Sequence, residues 1–98
     1  MTKTEKEYLL ALFKLGRRTS HTPFEILEAR LGFSPHELPK ARYSALMGAI
    51  ELRLYRLTRK LYAETCHHRT SAGKNLAIIF GPYYKISKAG QKVARVLS

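Results

Sequence analysis

The sequence predicts a small, mainly helical α+β domain, with all 98 residues in one unit. Three observations predict it. Four segments carry apolar residues at helical spacing, bounded by cap residues, glycines and prolines. Two strand-compatible segments flank a polar tip late in the chain. The hydrophobic fraction of 45% is enough for one interior, and the length leaves no room for a second.

The elements follow in order. A first helix is expected to start near Thr4, whose hydroxyl stands three residues before Glu7 in capping-box spacing. Tyr8, Leu9, Leu12 and Phe13 then form its buried stripe, and Gly16 ends it. Arg17 to His21 is basic and β-tolerant, a short strand. Thr22-Pro23-Phe24-Glu25 supplies a cap, a proline at the first helical position and a glutamate at the third. Phe24, Ile26, Leu27 and Leu31 give that second helix its apolar side, and Gly32 closes it. Ser34-Pro35-His36-Glu37 repeats the start grammar, but Pro39 confines the segment to about one turn.

From about Lys40 to Lys60 the pattern is helical again. Leu46, Ile50, Leu54, Leu57 and Leu61 fall within ~80° of one another at ~100° per residue. Beside that stripe, Arg42, Arg53, Arg56 and Lys60 share a ~60° sector and form a cationic ridge. Leu61 to His68 reads as a strand, and Arg69 to Asn75 as a polar, glycine-containing tip. Leu76 to Phe80 reads as a second strand, interrupted by Gly81-Pro82 and continued by Tyr83 to Ile86. Ser87 caps a short last helix with Val93, Ala94 and Leu97 on its apolar side.

Charge narrows the function. Lysine and arginine total 18 against 7 acids, for a net charge of +11. The excess is uneven: residues 1–49 hold 8 basic and 5 acidic side chains, and residues 50–98 hold 10 and 2. Such an excess on a small folded domain points to a polyanion, because neutralised phosphates release counterions and relieve self-repulsion.

The order helix, short strand, helix, turn, helix, hairpin, helix is the winged helix-turn-helix plan. Its third main helix is narrow enough for the ~12 Å major groove, while its neighbours grip flanking phosphates. Particular residues carry a resemblance as well. Tyr84-Lys85-Ile86-Ser87-Lys88-Ala89-Gly90, with the apolar helix after it, resembles the end of the wing in MarR- and PadR-type regulators. Ile86-Ser87 stands where those proteins usually have Leu-Thr. Leu54 to Tyr62 resembles the close of their recognition helix, with Leu61 in place of a common glycine. The likeness covers Thr22 to Leu97 and extends in style to small winged-helix proteins of archaea and their viruses. It implies a homodimeric transcriptional regulator that reads a palindromic site in double-stranded DNA.

Arg53, Arg56 and Lys60 are expected at phosphates, with Lys40, Arg42 and Arg59 on the same helix. Ser44, Gly48, Glu51, Leu52 and Tyr55 lie off the leucine stripe and are free to approach base edges; Gly48 and Ala45 would permit close approach. Arg69, Lys74 and Asn75 at the hairpin tip suit backbone or minor-groove contact. The first and last helices, with their apolar stripes, are expected to form the dimer contact. Two recognition helices would then lie ~34 Å apart.

Other chemistries find little. Cys66-His67-His68 offers metal-ligand types without a second cluster, and adjacent strand residues point to opposite faces. A lone cysteine fits a reducing cytosol and leaves open a bridge between two copies. Seven scattered glutamates, no aspartate and no phosphate loop or nucleophile signature argue against an enzyme, a cofactor or a small-molecule substrate. No apolar run approaches the roughly 20 residues of a membrane span, and no secretory or lipidation signal opens the chain, so a cytoplasmic location, including a host's if the protein is viral, is expected. One Asn and one Gln match the amide depletion of thermophile proteins. The apolar patterns place Tyr8, Phe13, Phe24 and Phe80 in the core, and one of Tyr83 and Tyr84 outward. Competing readings are an RNA-binding or ribonucleoprotein component, and a protein-interaction module such as a viral antagonist of host defence.

Overall fold

The computed structural model describes residues 1–70 and 78–98. The chain is mainly helical with a two-stranded antiparallel sheet, in the order α1 (Lys3–Leu15), α2 (Pro23–Leu31), a single 3₁₀ turn (Pro35–Glu37), α3 (Lys40–Arg59), β1 (Ala63–Thr70), β2 (Ile78–Ile86) and α4 (Lys88–Leu97). Leu9, Leu12, Ile26, Leu27, Ile50, Leu54, Leu57 and Ile86 are fully buried and tie α1, α2 and α3 to the base of the sheet. Among the described residues no helix is long and apolar enough to cross a membrane.

The caps explain the boundaries. Thr22 and Glu25 form a complete capping box, and Gly32 ends α2 in the left-handed region at φ 83°. The cap of α1 lies two residues earlier than its sequence suggests. Thr2, not Thr4, accepts from the Glu5 N–H at 3.2 Å. The shift turns Glu5 into the core, where it meets a partner from a distant helix. Of the expected strand at Arg17 to His21, one bridge forms: His21 exchanges backbone hydrogen bonds of 2.7 and 2.8 Å with Tyr84.

The hairpin departs from expectation in three ways. β2 runs unbroken through Gly81-Pro82, because a register shift absorbs both residues. Cys66 pairs with Tyr83 and His68 with Phe80, so two residues of β2 stand opposite one of β1. A proline without an N–H is tolerated at such a bulge. β1 extends through Thr70, so Arg69 is a strand residue opposite Ile79 and not part of the tip. Finally, Tyr83 and Tyr84 are both buried, at 2% and 6% exposure. Burial on both faces near the base of β2 defeats the inference from alternation alone.

The end of α3 carries the main local strain. The Tyr62 N–H donates to the Leu57 carbonyl and the Leu61 N–H to the Thr58 carbonyl, each at 3.0 Å. This is the Schellman pattern, which needs a left-handed residue between them. Leu61 fills that position at φ 65° and is 74% exposed, so it lies outside the stripe expected to bury it. A left-handed non-glycine residue costs about 1–2 kcal/mol, and glycine would give back about 0.5–1 as unfolded-chain entropy. Leu61→Gly is therefore expected to stabilise the domain by roughly 0.5–1 kcal/mol in urea denaturation. A lower midpoint would show that the exposed leucine is packed after all.

α4 is fixed by Ser87. Its hydroxyl accepts from the Gly90 N–H at 2.9 Å and donates to the Leu61 carbonyl at 2.6 Å, while its own N–H donates to the Tyr62 carbonyl at 3.1 Å. One side chain thus caps α4 and clamps it to the α3–β1 corner. Ala94 is buried and Val93 and Leu97 pack on the core, but Val96 is 85% exposed. α1 and α4 pack against each other within one chain, with Leu9 and Leu12 fully buried. Much of the apolar surface expected to serve a dimer contact is therefore used inside the protomer.

Candidate nucleic-acid interface

α3 is the element from which most of the candidate residues project. Its 20 residues span ~30 Å, and only Ile50, Leu54 and Leu57 are buried. The helix therefore lies on the core along one stripe and leaves the opposite arc open. Lys40, Arg42, Ser44, Gly48, Tyr55, Arg56 and Arg59 are all exposed on it, and Arg53 is half-buried at its edge. No ion pair joins Lys40, Arg42, Arg53, Arg56 or Arg59 to an acid among the described residues.

Lys60 is the exception. It caps α3, and its ammonium donates to Glu5 Oε2 at 2.6 Å, with the Glu5 side chain only 3% exposed. That hydrogen bond lowers the Glu5 pKa against the opposing push of burial. Of the four ridge residues, Lys60 thus has the least uncompensated charge to offer a phosphate. The pairing spans 55 positions. Nothing local in the sequence signals it.

Other acids are similarly engaged. Glu7 accepts from Arg30 at 2.7 and 2.9 Å, Glu25 closes its capping box, and Glu64 stands 3.5 Å from Arg17. Arg30 also donates to the Tyr8 hydroxyl at 3.0 Å and lies 4.7 Å over that ring. Burial opposes its charge, yet Glu7 and Tyr8 hold its pKa above the ordinary value. The internal pairs therefore occupy Arg17, Arg30 and Lys60, and leave the α3 cations to solvent.

The start of α3 is unusual for a helix. Pro39 gives it no side-chain cap, its first turn has no acid, and Lys40 and Arg42 stand there instead. Positive side chains beside a positive dipole end repel each other mildly, a cost that an approaching anion removes. Next to it, Phe24, His36 and Tyr43 form a ring cluster with centroids 4.9–6.5 Å apart. Phe24 is accordingly half-buried against these rings and is not one of the buried core residues.

On the hairpin, Ala63, Tyr84 and Ile86 anchor the base to the core. Burial raises the Tyr84 pKa, with the Glu51 charge adding to it. Lys74 and Asn75 lie outside the described residues. Cys66 forms no disulfide within the chain, and no group of three or more metal-ligating side chains occurs among the described residues.

Ala41 and Ala49 are exposed on this arc as well, beside Ala45 and Leu52. Helical spacing alone sets all four away from the leucine stripe. Comparison with protein families, with curated proteins and with solved structures finds no match for this chain.

Proposed function

We propose that this protein binds double-stranded DNA as a winged helix, with α3 in the major groove and the β1–β2 hairpin against the flanking backbone. In this reading it is a sequence-specific transcriptional regulator and acts as a homodimer. The observation that carries the proposal is the open arc of α3, a ~30 Å rod whose exposed arginines and lysine pair with no acid among the described residues. An α-helix with its side chains is ~10–12 Å across and fits a groove of ~12 Å. The element order, the His21–Tyr84 bridge and the structural roles of Tyr84, Ile86, Ser87 and Gly90 support the same reading.

Titration of a labelled duplex by fluorescence anisotropy tests it. With about 6–10 phosphates neutralised, affinity should fall on the order of 10³–10⁵ between 50 and 200 mM salt. Arg56→Ala should weaken all duplexes alike and reduce the salt slope by about 1. A complex insensitive to salt, or one that prefers structured RNA over duplex, would overturn the proposal. Stoichiometry in the same titration reads the dimer: two chains per palindromic duplex.

A further inference from the structure

Resting on the DNA reading, we infer that the middle of α3 recognises the C5-methyl groups of thymine, so that the preferred sites carry A·T pairs where α3 enters the groove. The warrant is what the open arc contains and what it lacks. Ala41, Ala45, Gly48, Ala49 and Leu52 are all exposed and fall within a ~100° sector at ~100° per residue. Leu52 is 51% exposed, and Tyr55 beside it 55%. A helix face given only to solvent would be polar at these positions.

Base-edge hydrogen bonding has few agents here. The chain holds one Asn and one Gln, at positions 75 and 91, so neither amide lies on α3. Adenine's usual bidentate partner is therefore missing from the helix. Ser44 and Glu51 stand at one side of the sector and Arg42 and Arg53 at the other, while Arg56 and Arg59 enter it only beyond Leu52, toward the C-terminal end of the helix. From Ala41 to Leu52 what the sector presents is small and apolar, which is the complement of a thymine methyl.

Charge decides what covers this strip. A buried helix pair between two copies would bring Arg42, Arg53, Arg56 and Arg59 close to their equivalents, with Glu51 the one acid on the helix. That arrangement is repulsive. A polyanion with apolar points along its groove is attracted to both features at once. Small residues at Ala41, Ala45, Gly48 and Ala49 let the helix backbone come close to the bases, while Leu52 and Tyr55 supply the contact area.

Four duplexes of about 20 base pairs, two helical turns, test the inference without a known operator. They are alternating A·T, the same with uracil for thymine, alternating G·C, and the same with 5-methylcytosine. Uracil keeps thymine's hydrogen-bonding edge and lacks only the methyl. Each methyl buried against the helix is worth on the order of four-fold in affinity. The expected result is tighter binding to thymine than to uracil, and to 5-methylcytosine than to cytosine. Leu52→Ala should shrink both differences and leave the salt slope unchanged, since no charge is lost. Equal affinity for thymine and uracil duplexes, with binding intact, overturns this inference alone. Discrimination that survives undiminished in Leu52→Ala places the reading group elsewhere and also overturns it. Failure to bind any duplex overturns the DNA reading on which it rests.

Discussion

Replacing Gly90 by alanine is expected to destabilise the domain by roughly 3 kcal/mol, a large share of the stability of a chain this size. Helix propensity alone predicts the opposite. Gly90 lies in the first turns of α4, where alanine is intrinsically better by about 1 kcal/mol. A Cβ at this position, however, would collide with the Tyr62 carbonyl oxygen and sit 2.9 Å from Ile86 Cγ1. The first neighbour is backbone, in a corner held by the Ser87 hydrogen bonds to Leu61 and Tyr62. It has little freedom to retreat. Thermal unfolding should show a midpoint about 12–24 °C lower, at 4–8 °C per kcal/mol for a domain of this length. Gly48→Ala is the control, because a Cβ there meets nothing within 4 Å. Propensity then acts unopposed and stability rises by up to about 1 kcal/mol. If Gly90→Ala were neutral, α4 would be free to slide on the α3–β1 corner.

The second large effect is expected at Lys60. Lys60→Met leaves the Glu5 carboxylate buried without its 2.6 Å partner, a loss of roughly 2–3 kcal/mol. The figure stays below that of a fully interior pair because the Lys60 side chain is itself 40% exposed. Its pH dependence has a definite sign. The hydrogen bond from Lys60 holds the folded-state pKa of Glu5 below the ordinary value of 4.5. The pair's contribution is therefore complete above that value and is lost as pH falls through the lower folded pKa. Chemical denaturation at pH 7 and again below pH 4 should find the gap between wild type and Lys60→Met shrinking in acid. A gap constant with pH would assign the loss to lysine packing and not to charge. Replacing Glu5 and Lys60 together by methionine should recover part of the stability, since no orphaned carboxylate then remains.

These two positions also separate what was legible in the sequence from what was not. Gly90 ends the run Tyr84 to Gly90 that the sequence singles out, and four residues of that run have structural tasks. Tyr84 bridges to His21, Ile86 is fully buried, Ser87 caps and clamps, and Gly90 admits the Tyr62 carbonyl. Lys60 shows the converse. Its place on the cationic ridge follows from helical spacing, yet its partner is set by how α1 meets the end of α3.

Local grammar determined much of this protein from sequence alone. The Thr22–Glu25 box, Gly32, Pro39 and Ser87 mark boundaries through bonds made within three or four residues, and the leucine spacing orients α3. The same spacing identified the exposed arc and its arginines. Tertiary structure decided the rest, because the deciding partners are distant along the chain. Thr2 displaced Thr4 as a cap while Glu5 found Lys60 in the core. Tyr83 and Tyr84 both became buried, although strand alternation sends them to opposite faces. Leu61 left the buried stripe because the turn into β1 demanded a left-handed residue at the close of α3. Periodicity records which way a side chain points on its own element. Only packing decides what waits there.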